Sequence, residues 1–178
     1  MGSHPAPALI LALLLGAAPA LCQEAGWQYS PLPGEGDRAS MGCARGSDRL
    51  DHACLVVRCE DDFSTGVHVH ASRTGGAAGK WEFTLDREAR MLETTAAETP
   101  YGARLADTDG WLLDGLKHGT FVYLRHTEDH EDAFGFISLD GSYRAIAEAL
   151  YWCAPRVAPD EQSDEPGVMP QVDNGETK

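Results

Sequence analysis

Apolar and polar positions alternate along much of the middle of the chain, and this pattern predicts strands. Val67–Ala71 (VHVHA) and Trp81–Leu85 (WEFTL) alternate strictly, so each presents one apolar face and one polar face. Ala53–Cys59 (ACLVVRC) is a nearly continuous apolar run of strand length. Further strands are read at Ala39–Ala44 and Arg90–Thr95. Thr120–Thr127 and Ala133–Leu139 form a hairpin around the acidic turn EDHED (Glu128–Asp132). Thr99–Ala106 reads as irregular. A short helix is expected within Asp107–Gly119, capped by Thr108 or Asp109, carrying Trp111, Leu112, Leu113 and Leu116 and ended by Gly119. A second helix starts at Ser142 and runs to about Cys153, where Pro155 stops it. Its Tyr143, Ile146, Ala147, Leu150 and Tyr151 fall at helical spacing on one face, read as the buried one. Adjacent strands joined by short turns imply meanders rather than βαβ units. The expected fold class is α+β and β-rich. It is a mostly antiparallel sheet or sandwich, with a short mid-chain helix and a C-terminal helix packed on the sheet.

The two ends differ from this middle. Pro7–Leu21 is an apolar run without acid or base, too short for a comfortable membrane span, and it is followed by small residues. It reads as the core of a secretory signal peptide, with cleavage near Ala20–Gln23, so residues 1–22 are assigned to the signal. A buried core helix is the competing reading, disfavoured by Gly16 and Pro19. Residues 23–38, with Trp27 and Tyr29, read as an extended lead-in and residues 39–155 as one domain. Residues 156–178 are acidic and proline-bearing without aromatics, the composition of a disordered tail. No second long apolar run exists, so no stable membrane span is expected after signal removal.

The chain has 178 residues, with 14 Lys+Arg against 28 Asp+Glu and a formal charge of -14. Such acidity argues against nucleic acid and anionic membranes, which attract basic patches. It is compatible with a protein partner of cationic character or simply with solubility. Arg far outnumbers Lys and Ala and Gly abound, a bias of GC-rich bacterial genomes, so a periplasmic or secreted bacterial location is expected.

Four cysteines remain beyond the signal: Cys43, Cys54, Cys59 and Cys153. An even count in an oxidising compartment reads as two disulfides. A zinc site is the alternative, although no C-x₂-C pair is present. Three pairings are possible. On Ala53–Cys59, Leu55, Val57 and Cys59 share one face, and Cys54, Val56 and Arg58 share the other. The face without Arg58 is expected to be the core face. Cys153 lies on the inward side of the last helix, so Cys59–Cys153 and Cys43–Cys54 is the expected set.

The remaining candidate chemistry is sparse. His68 and His70 alternate along one strand, and a third ligand from His118, His126 or His130 would complete a site for a metal such as zinc. The competing reading puts both histidines on a solvated polar face and His126 and His130 beside an exposed turn. DTDG (Asp107–Gly110) echoes a calcium loop, but it lacks the flanking ligands and reads as a helix cap. EDHED reads as a solvated hairpin tip that blocks edge pairing. No nucleophile elbow, P-loop or dinucleotide fingerprint occurs, so no enzyme and no cofactor is expected. Trp152 lies off the apolar stripe of its helix beside Tyr151, and these two residues are the candidate partner-binding anchor.

The strand ACLVVRC (Ala53–Cys59), the unit WLLDGLKHGTFVYLR (Trp111–Arg125) and the terminal unit FISLDGSYRAIAEALYWC (Phe136–Cys153) occur in an order that resembles two sets of small exported bacterial proteins. One is the invasion-associated locus B type, the other the small exported proteins associated with type VI secretion. The resemblance implies a β-rich, disulfide-bonded exported domain without known enzymatic activity, and it carries over no functional residue. The function expected is a non-catalytic binding or accessory module acting by surface contact in the envelope or in host interaction. A periplasmic metal-binding protein using His68 and His70, or an inhibitor of a cationic enzyme such as a lysozyme, are the alternatives.

Overall fold

A computed structural model describes residues 26–29, 38–97 and 100–154. The signal-peptide reading of residues 1–22, most of the lead-in and the tail at 156–178 lie outside the described residues. Nine strands form one antiparallel sheet: β1 (Trp27–Tyr29), β2 (Ala39–Cys43), β3 (Ala53–Cys59), β4 (Thr65–Ala71), β5 (Gly79–Leu85), β6 (Glu88–Ala96), β7 (Ala103–Leu105), β8 (Phe121–His126) and β9 (Gly135–Ser138). Their order is β1-β2-β3-β4-β7-β6-β5-β8-β9. Among the described residues two helices pack on it, α1 (Trp111–His118) and α2 (Ser142–Leu150), the latter followed by a 3₁₀ turn at Tyr151–Cys153. Among the described residues no helix is long and apolar enough to cross a membrane. The β-rich α+β architecture expected from the alternation is the one observed.

The inner face of the sheet holds the main core. Leu55, Val57, Val69, Trp81, Phe83, Val122, Leu124 and Ile137 are buried there against Leu112 and Leu116 of α1 and Ile146 of α2. The sheet curls so that its ends approach: the Arg45 amide, just past β2, donates to the Phe136 carbonyl on β9 at 2.8 Å. On β1, Trp27 lies over Gly42, where a side chain would collide with the indole. Glycine is therefore the residue that lets the first strand close down on the second.

The sequence implied one buried face on β3; the structure buries both. Ala39, Met41, Cys54, Val56 and Tyr101 form a second, smaller cluster on the outer face. Arg58, expected to mark the solvent side, is 4% exposed. The cause is the segment read as irregular at 99–106. Its Tyr101 lies flat under the Arg58 guanidinium, 5.2 Å from the ring centroid. Its Ala103–Leu105 forms β7, inserted between β4 and β6. Gly102 takes φ +84, and a Cβ there would meet the Val69 carbonyl. Only glycine combines that backbone conformation with that approach.

Both disulfides are formed, Cys43–Cys54 between facing strands and Cys59–Cys153 between β3 and the 3₁₀ turn. The first helix is capped otherwise than expected. Neither Thr108 nor Asp109 is the main cap; the Asp107 carboxylate accepts from the Leu112 and Leu113 amides at 3.0 and 2.9 Å. Asp109 accepts only a longer bond from Trp111 at 3.3 Å. Gly110 in the left-handed conformation turns the chain so that Asp107 reaches over the helix start.

Candidate functional site

The apolar stripe of α2 is displaced from the face the periodicity indicated. Ser142, Ala145, Ile146 and Ala149 point to the sheet. Tyr143 and Tyr151 are instead 59% and 72% exposed, and Ala147 is exposed between them. The small residues Ala145 and Ala149 explain the shift, because they let the helix backbone lie close to β1, β2 and β3. The tyrosines are too bulky for that approach. Tyr143, Ala147 and Tyr151 thus form an outward row at i, i+4 and i+8.

This row borders a groove of about 450 Å³. Tyr151 and Trp152 form one wall, their rings edge to face at 6.0 Å. Trp152 is half-buried, and its indole Nε1–H reaches the Tyr29 hydroxyl on β1 at 3.5 Å. Tyr29 and Ala147 supply the floor, and Tyr143 closes the far end near the His118 ring of α1, 5.8 Å away. An Arg144–Glu148 pair at 2.9 Å lies on the rim. The Cys59–Cys153 disulfide anchors the wall residues from below, so the aromatic rings stand on a braced turn rather than a free end. Trp152 and Tyr151, the anchor candidates of the sequence, are brought together here. Tyr29 and Tyr143 join them, the first from the extended lead-in and the second from the helix face expected to be buried. The spacing Tyr143–Ala147–Tyr151 is the available signal, but apolar periodicity does not say which of two faces is the inner one.

The histidine candidates are not brought into one site. His68 is fully buried on the outer face, against the expectation of a solvated strand. Its Nε2–H donates to Glu60 Oε1 at 2.7 Å, while Nδ1 has no hydrogen-bond partner among the described residues. Arg58 and Arg104 flank the same carboxylate at 3.5 and 3.9 Å. Gly66 leaves the space through which Glu60 reaches the ring. Burial pushes the His68 imidazole below its ordinary pKa, outweighing the upward pull of Glu60, and Arg58 and Arg104 add to the depression. His70 does not pair with His68. It stacks on His52 at 4.6 Å, and burial first, then His52, lowers its pKa.

His126 is on the other side of the sheet, buried rather than beside an exposed turn. It donates from Nε2 to the Ala78 carbonyl at 3.2 Å and lies edge-on to Trp81. His118 and His130 are exposed. With both cysteine pairs closed, no group of three or more His, Cys, Asp or Glu among the described residues is set to hold a metal ion. Of the acidic turn, Glu128 and Asp129 are engaged by Arg73 at 3.2 and 3.3 Å.

A second cavity of about 330 Å³ opens at one end of the curled sheet, floored by Ala44, Ala53 and Ala71. Two of its guanidinium groups already serve the fold: Arg125 bonds Glu82 at 2.6 Å and Arg73 holds the acidic turn. The aromatic groove differs in presenting the exposed rings of Tyr143 and Tyr151. A search of family models, of curated proteins and of solved structures finds no match to this chain.

Proposed function

We propose that the protein is an exported, non-catalytic binding module whose aromatic groove receives a protein partner of cationic character. The observation that carries this reading is the exposure of Tyr143, Tyr151 and half-buried Trp152 around one apolar depression. Tyrosine and tryptophan are the side chains most enriched at interface hot spots, because each offers a large rigid surface with a polar tip. Water leaves such a groove at modest polar cost, since its charged groups, Arg144 and Glu148, pair with each other on the rim. The charge of -14 steers a positively charged partner toward the molecule and disfavours a second copy of this chain. Inhibition of a cationic enzyme is one form this contact takes. Two disulfides suit an exported protein. Phe136–Cys153, one of the three units that carry the family resemblance, is also the unit that builds most of the groove.

Site-specific photo-crosslinking in the native envelope tests the reading. A crosslinker at position 143 or 151 should trap a defined protein species. The same group at Met91, exposed on β6, should not. Equal labelling from both places, or none from the groove, would overturn it.

A further inference from the structure

Four side chains able to bind metal meet on the outer face where β2, β3 and β4 end. Cys43 and Cys54 oppose each other directly across the β2–β3 ladder. Cys54 opposes His70 across the β3–β4 ladder. Opposed residues in antiparallel strands hold their Cβ atoms about 4.5–5.5 Å apart. His52 lies two residues before Cys54, which puts it on the same face. Its ring stacks on His70 with centroids 4.6 Å apart and planes at 28°. Among the described residues neither ring of this pair makes a hydrogen bond, in contrast to His68, whose Nε2 is taken by Glu60. In the closed structure the two sulfurs are spent on each other.

We infer that this patch is a zinc site gated by the Cys43–Cys54 disulfide. The closed form offers two imidazoles, half the donor set that a tetrahedral structural zinc takes. A dithiol reductant opens the site. One of its thiolates attacks a sulfur of the pair, and its second thiol resolves the mixed disulfide. The reductant leaves as a disulfide, and the protein gains two electrons and two protons as two thiols. Zinc then displaces both thiol protons to solvent and is held by two thiolates and the neutral His52 and His70 rings. The thiolates balance the charge of the ion. The ladder from Ala39↔Arg58 to Cys43↔Cys54 keeps the thiols facing each other after the S–S bond is gone. Cys43 is only partly buried, as Cys153 is in the second pair, and this admits the reductant. This site is independent of the aromatic groove and lies on other elements.

Cobalt titration of the full protein tests the inference, before and after reduction with a phosphine. The reduced protein should take one cobalt ion per chain, with thiolate-to-cobalt charge transfer in the near ultraviolet and tetrahedral absorption in the visible. The oxidised protein should show neither. Cys43→Ser/Cys54→Ser should abolish the charge-transfer band, and His52→Ala/His70→Ala should abolish the tetrahedral absorption. Alkylation mapped by mass spectrometry gives a second readout. Zinc should protect Cys43 and Cys54 of the reduced protein from alkylation, and removal of the zinc by a chelator should restore their reaction. A reduced chain that takes no cobalt, folded or not, overturns the inference. So does a tetrahedral spectrum that survives loss of both histidines, or alkylation of Cys43 and Cys54 that zinc does not slow.

Discussion

Glu60 reaches across Gly66 and accepts the Nε2–H of His68 at 2.7 Å, a bond made wholly on the outer face of the sheet. Because the carboxylate occupies the place a Cβ would fill, Gly66→Ala should force Glu60 off the ring. The expected loss is about 1–3 kcal/mol, the usual range for overpacking. Urea denaturation measures it. Glu60→Gln is the companion variant, which keeps the volume and removes the charge between Arg58 and Arg104. Full stability of Gly66→Ala would mean that this bond does not hold the face together.

The same histidine makes stability depend on pH in a defined direction. His68 and His70 both titrate below the ordinary 6.5 when folded. Below that pH the unfolded chain binds more protons than the native one, so stability rises with pH across that window. The stabilisation is complete above about pH 6.5 and is lost progressively as pH falls toward the depressed folded values. Melting temperature should therefore drop between pH 7.5 and 5. His68→Gln, which still donates to Glu60, should show a shallower drop. An equal slope in wild type and variant would refute the assignment to His68.

Most of the strand framework was legible in the sequence because alternation reports directly on a half-buried sheet. Val67–Ala71 and Trp81–Leu85 lie within β4 and β5. Hidden features depend on chain segments far apart. Nothing local in ACLVVRC says that Tyr101, over forty positions later, will cover Arg58. Nothing in ARL, three residues between polar neighbours, says that it will insert between β4 and β6. The groove was half legible. Trp152 stands out by lying off the apolar stripe of its helix, with Tyr151 beside it, while Tyr143 is hidden by a period that fits either face of α2. Only the bulk of Tyr143 beside Ala145 and Ala149 distinguishes them, and that distinction needs the sheet to be present.

The Cys59–Cys153 bond closes a long loop, with a sequence separation of 94. In the chain-entropy picture such a crosslink contributes about 4–5 kcal/mol. Cys153→Ser should lower the denaturation midpoint accordingly. It should also loosen the Tyr151–Trp152 wall, which amide exchange of the 3₁₀ turn would report. Loss of stability without faster exchange there would separate the crosslink from the groove.

Asp107 accepts two backbone donors at the start of α1, a heavier role than the predicted caps Thr108 and Asp109 carry. Asp107→Ala should cost about 1 kcal/mol, and up to about 2. Thr108→Ala should be near neutral. Thermal denaturation of the two variants decides the ranking, and the reverse order would contradict the geometry.

The groove is tested most directly by quantitative capture from the native envelope fraction, with wild-type protein beside Tyr151→Ala/Trp152→Ala. Tyr151 is largely exposed, so its truncation should change stability by no more than about 0.5 kcal/mol. Loss of both rings should weaken the complex by about 2 kcal/mol or more, roughly 30-fold. Raised salt should weaken it further for a cationic partner. A specific partner held by wild type, lost by the folded double variant and loosened by salt is the predicted result. A partner retained at full affinity by the double variant would contradict the assignment of function to this groove.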